Sequence, residues 1–174
     1  DRKAEFDLAM KLYRDLGDMT FAVDRINGVR AELEARAGKL PAGDPLAARL
    51  RTAAAQIDAL RKKIVATTEG GAITGEERLR EHLASLYSNV VYYEGRPSRT
   101  QVDRAAALGR ELSDVVRDVD AWAAKELPGI NKQLSAMGLP PIELLTRADW
   151  EKQGEEGGGG SGGVSERDRL FEGD

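Results

Sequence analysis

Cysteine is absent from this sequence of 174 residues, and histidine occurs once, at position 82. The first absence excludes a disulfide framework and a thiolate metal site. The second leaves His82 without the second imidazole that a metal or acid–base constellation would recruit. Aromatic residues are only 5% of the chain. No apolar run approaches the ~20 residues that span a bilayer, so membrane insertion is not expected. An initiator methionine and a signal peptide are also missing. The sequence opens on Asp1-Arg2-Lys3 and reads as a piece of something longer.

A charged body of one sign is lacking too. The net charge is −4, but six acids and two bases in residues 154–174 account for all of it. The 24 acids and 24 bases of residues 1–153 cancel. A neutral body lacks the basic face that nucleic acid or an anionic membrane requires, so neither is an expected partner.

What is present is helical. The composition is 41% hydrophobic and 32% charged, which favours amphipathic helices that each bury one stripe. Phe6, Ala9, Tyr13, Leu16, Thr20, Val23, Ile26, Val29, Leu33 and Ala37 recur at steps of three and four. They predict a first helix of ~36 residues, ~54 Å long, which needs partners alongside it. Gly38, Pro41 and Gly43 end it. Asp44 then caps a second helix with Pro45 at its first position. Its seam is Leu46, Leu50, Ala53, Ile57, Leu60 and Ile64. A loop centred on Gly70-Gly71 follows, and Thr74 with Glu77 makes a capping box for a third helix. Leu79, Leu83, Leu86, Val90 and Tyr93 are its seam.

Gly95-Arg96-Pro97 ends the third helix, and Ser98 with Gln101 opens a fourth. Val102, Leu108, Leu112, Val115, Val119 and Trp122 are its inward residues. Leu127, Ile130, Leu134 and Met137 continue the spacing beyond Pro128, which predicts a kink there and an end at Gly138. Residues 139–150 read as extended or turn-like, docking Ile142, Leu144 and Trp150 onto the rest. The fold class expected is all-α, an antiparallel four-helix up-down-up-down bundle over residues 1–150. Two looser helical hairpins are the alternative. A flexible Gly/Ser-rich linker is expected at 151–163, with a disordered end or docking peptide at 164–174. The repeat at 157–161 fits an engineered joining segment and a natural low-complexity tail equally.

Candidate sites are few, and no catalytic residue, metal ligand or cofactor is expected. His82 lies beside the seam and reads as a boundary histidine. Asp114 and Asp118 share a helix face while Asp120 points elsewhere, which is the pattern of a solvated charged surface. Tyr87, Tyr92 and Tyr93 gather with Arg96 and Arg99 near the end of the third helix. Tyrosine and arginine are common interface anchors, so these five form the candidate partner-binding cluster. The plainer reading has Tyr93 closing the core and the others covering the Pro97 turn. Leu170-Phe171, in an acidic setting, is a candidate docking motif.

The order of features resembles the C-terminal helical region of bacterial sortilin-like, sialidase-repeat (BNR) β-propeller proteins. Residues 1–14 (DRKAEFDLAMKLYR) are similar to the helix that follows the propeller in that family. Gly95-Arg96-Pro97-Ser98 with Gln101, then Glu126-Leu127-Pro128 and Asn131, resemble its turn and its helix ending. Asp44-Pro45-Leu46 resembles a further element, differently placed. The resemblance spans about residues 1–140. It implies a large secreted or envelope-associated bacterial parent whose chemistry, if any, lies in the propeller. No sialidase-type aspartate box or arginine triad occurs in this chain, and the tail after 153 departs from the family pattern. The functional expectation is a non-catalytic accessory domain that contacts its own upstream propeller or another protein. A stand-alone adaptor presenting residues 164–174 is the alternative.

Overall fold

The computed structural model describes residues 2–67, 77–93 and 95–157. These residues form an all-α protein with the element order α1 (Arg2–Lys39), α2 (Pro45–Ile64), α3 (Leu79–Val91), α4 (Arg99–Ala136) and α5 (Arg147–Gly157). No strand occurs among them. The chain divides into two compact units. Unit 1 takes residues up to Thr20 together with Lys62–Val115, and unit 2 takes Phe21–Arg61 with Val116–Gly163.

Local chemistry explains where the helices begin and end. Asp44 accepts the Leu46 N–H at 2.7 Å while its carbonyl accepts Ala48 N–H, so Pro45 occupies the first helical position as expected. Ser98 and Gln101 satisfy each other's backbone N–H at 2.8 and 3.2 Å, the reciprocal capping box read from the sequence. α3 starts later than expected. Its first turn is closed by Glu81, whose carboxylate accepts the Arg78 N–H at 2.8 Å, and Glu77 precedes the helix. Thr74 and the Gly70-Gly71 loop lie outside the described residues. α4 runs through Pro128 to Ala136. It closes with Leu139 N–H on the Leu134 carbonyl and Gly138 N–H on the Ser135 carbonyl, with Gly138 at φ 70°. That double bond is the glycine-terminated Schellman closure.

In unit 1, Leu8, Leu12, Leu16 and Met19 of α1 are buried, with Leu79, Leu83, Leu86 and Val90 of α3 and Ala105, Leu108, Leu112 and Val115 of α4. Before Leu16, which is buried as expected, α1 therefore buries Leu8 and Leu12 in place of the expected Phe6, Ala9 and Tyr13. Phe6 and Tyr13 are exposed at 63% and 45%. Branched aliphatics fill a close-packed helix interface better than bulky aromatics with a polar tip. Val102 and Tyr93 are likewise exposed rather than inward, Val102 because Ala105 takes the contact one turn on.

In unit 2, α1 packs antiparallel to α2. Arg30 reaches Asp58, and Gly38 lies across from Arg51. α2 is also antiparallel to α4, since Gln56 accepts the Trp122 indole N–H and Arg49 reaches Gln133. The α1 and α4 segments of this unit therefore run in the same direction, joined by the Arg25–Asp120 pair at 3.0 Å. An up-down-up-down alternation of four helices would set them antiparallel. Trp122 is half-buried instead of core, because its N–H needs a polar partner.

Residues 139–146 are irregular and dock as expected, with Ile142 buried. Asn131 holds them by accepting the Ile142 N–H at 2.8 Å and donating to its carbonyl at 2.9 Å. Arg25 and Arg36 donate to the Leu145 and Pro140 carbonyls. The segment then becomes α5, opened by Thr146 and Asp149, where an extended chain was expected. α5 continues to Gly157 and so takes in residues that composition assigns to a linker. Trp150 lies against Phe21 at 5.4 Å and donates its indole N–H to Asp24, while Arg147 stacks on both rings. Leu144 is half-buried, and Met137 is exposed.

Candidate functional site

The exposed large apolar side chains of unit 1 gather on identifiable helix faces. Phe6, Met10 and Tyr13 recur at four and three residues on α1, exposed at 63%, 36% and 45%. At 3.6 residues per turn they occupy one face about 60° wide, away from the Leu8–Leu12 stripe. Tyr13 brings α3 to this face, its ring 6.5 Å from that of Tyr87. Val91, one turn beyond Tyr87, is exposed as well. Two helices thus present a shared apolar surface of aromatic, thioether and aliphatic groups. Tyr and Met are residue types enriched at protein interfaces, and contiguous exposed apolar area marks such surfaces.

The rim is basic. Arg2 and Arg14 stand one turn before Phe6 and one turn after Met10, both exposed. Neither forms an ion pair among the described residues. Lys3, also exposed, reaches along the helix surface to Asp7 at 2.9 Å. The hydrogen bond to Asp7 and then its charge hold the Lys3 ammonium above the ordinary lysine range.

Of the five residues expected as a partner cluster, only Tyr87 joins this face directly, through Tyr13. Tyr92 caps the end of α3 and is 87% exposed. Tyr93 covers Gly95, where a Cβ would stand 2.9 Å from its ring, so the ring screens the turn and not the core. Arg96 is exposed and Arg99 reaches Asp103 at 3.6 Å. Leu170 and Phe171 lie outside the described residues. Sequence reading assigns Phe6 and Tyr13 to the helix seam and Met10 to no role, so it misses the surface they form. The signal that separates the two is side-chain type: the parallel set Leu8, Leu12 and Leu16 is purely aliphatic.

The remaining candidates resolve into structural contacts. His82 Nδ1 lies 3.5 Å from a Glu77 carboxylate oxygen. Asp120 pairs with Arg25. Among the described residues no three His, Cys, Asp or Glu side chains gather in a metal-holding group. A cleft of about 470 Å³ in unit 2 is lined by Arg30, Glu34, Gly38, Arg51, Ala54, Ala55 and Asp58. Its Arg30 is engaged by Asp58 at 2.5 Å and Glu34 at 3.8 Å, so these three charges are directed at one another. No helix among the described residues is long and apolar enough to cross a membrane. Compared with known proteins, this chain matches no family model, no curated protein and no solved structure.

Proposed function

We propose that this chain is a non-catalytic helical accessory domain of a larger secreted or envelope bacterial β-propeller protein, serving packing, assembly or partner contact. The observation that carries the reading is the exposed face formed by Phe6, Met10 and Tyr13 beside Tyr87. An isolated helical domain gains nothing from aromatic groups left in water, whereas a docking surface uses them as anchors. The resemblance of residues 1–14 and 95–131 to the helical region of sortilin-like propeller proteins supplies the kind of partner. In this reading the four-helix alternation is set aside for the packing described above, and the chemistry of the parent lies elsewhere.

The test has two parts. The coding sequence upstream of Asp1 is expected to encode propeller repeats; a gene without them overturns the proposal. The separately produced propeller is then titrated against this chain. Phe6→Ser with Tyr13→Ser is expected to weaken binding by about tenfold or more, as loss of anchor residues does. Equal affinity of the double variant would place the contact somewhere else.

A further inference from the structure

The rim and centre of the unit 1 face together define what would cover it. Its centre takes large apolar side chains, through Phe6, Met10 and Tyr13. Its rim asks for acids, because Arg2 and Arg14 are exposed without an ion pair among the described residues. A second copy of the same face does not meet this demand. An isologous contact would bring a second Arg2 and Arg14 to the same interface and so add like charge to its rim.

The chain carries a segment with the matching chemistry. Residues 164–174, Val-Ser-Glu-Arg-Asp-Arg-Leu-Phe-Glu-Gly-Asp, place Leu170 and Phe171 side by side among Glu166, Asp168, Glu172 and Asp174. Four acids against Arg167 and Arg169 leave this segment at −2. The other segment outside the described residues, 68–76, offers Ile73 alone and no aromatic. Glycine and serine compose residues 158–163, between α5 and the acidic peptide. A peptide joined through such a sequence meets its site at an effective concentration far above that of a free competitor.

We propose that residues 164–174 bind the Phe6–Met10–Tyr13 face of the same chain and cover it until a partner displaces them. The inference rests on the reading of that face as a docking surface. In this arrangement Leu170 and Phe171 cover the apolar centre, and the acids meet Arg2 and Arg14. The tail thereby acts as a competitive occupant, which keeps an aromatic surface out of water and raises the affinity that a true partner must reach.

Three methionines make the test direct. Met10 is on the face, Met19 is buried in unit 1, and Met137 is exposed in unit 2. The full chain, labelled at its methionine methyl groups, is compared by NMR with its Leu170→Ser/Phe171→Ser variant. The Met10 resonance is expected to move, while Met19 and Met137 stay in place. Addition of a synthetic peptide of residues 164–174 is expected to return it towards its original position. An unmoved Met10 signal overturns the proposal, as does a Met10 shift that grows with protein concentration, which would assign the tail to a neighbouring copy. The reading of the face fails separately. If Phe6→Ser/Tyr13→Ser leaves propeller binding intact while the tail still shifts Met10, the tail has its site and the docking reading falls.

Discussion

Gly17 and Gly28 sit inside α1, and nothing lies within 4 Å of where a Cβ would stand at either. Both are helical without the positive φ that would require glycine. Alanine at each position should therefore stabilise the protein by about 0.5–1 kcal/mol, read as a higher urea midpoint with unchanged slope. Gly138 is the opposite case. Its φ of 70° closes α4, so Gly138→Ala should cost about 1–2 kcal/mol in the same measurement. Gly129 is a third kind, since a Cβ there would meet the Arg49 guanidinium, which a flexible side chain can withdraw at small cost. Asn131 acts at the residue scale as well, because its one amide satisfies both backbone groups of Ile142. Asn131→Ala leaves them unpaired beside a buried side chain and should cost about 1–3 kcal/mol. Hydrogen exchange at the Ile142 amide should accelerate; an unchanged rate would mean that the segment is held by other contacts.

At the scale of the element, α1 carries two apolar sets between residues 6 and 16. One is Leu8, Leu12 and Leu16, and the other is Phe6, Met10 and Tyr13, on different faces. Leu12→Ala should cost about 2–5 kcal/mol, as for a fully buried leucine, whereas Phe6→Ala should stay within about 0.5 kcal/mol. Thermal unfolding of the two variants decides between the registers. Much of the elements was legible in the sequence. Asp44-Pro45 and Ser98 with Gln101 are local signals whose partners lie within three residues, and they place the starts of α2 and α4. The α1 register was not legible, because spacing alone admits both sets and only the packed neighbours choose. α5 was hidden for another reason: its stabilising contacts, Trp150 with Phe21 and Asp24, come from 126 residues away in the case of Asp24. The direction of α4 relative to α1 was equally invisible, since it depends on which helix Arg25 and Gln56 meet. Of the candidate site, Tyr87 was foreseen and its α1 half was not.

For the whole molecule, the surface is where sequence and fold combine into a property. The neutral charge balance of residues 1–153 and the absence of a spanning helix among the described residues leave the aromatic face of unit 1 as a distinctive surface feature. Removing residues 158–174 should expose that face and increase the binding of a hydrophobic fluorescent dye. The same truncation in the Phe6→Ser/Tyr13→Ser background should produce no increase. A rise of equal size in both would locate the dye elsewhere on the protein.

The Lys11 contact with the Ala105 carbonyl joins positions 94 residues apart. At a synthesis rate of about 5–20 residues per second, the first half of α1 leaves the ribosome roughly 5–19 s before its α4 neighbour exists. Throughout that interval Leu8, Leu12, Leu16 and Met19 have no completed α4 surface to enter. The nascent chain thus passes through a prolonged stage in which the apolar stripe of α1 is synthesised but not yet covered by α4.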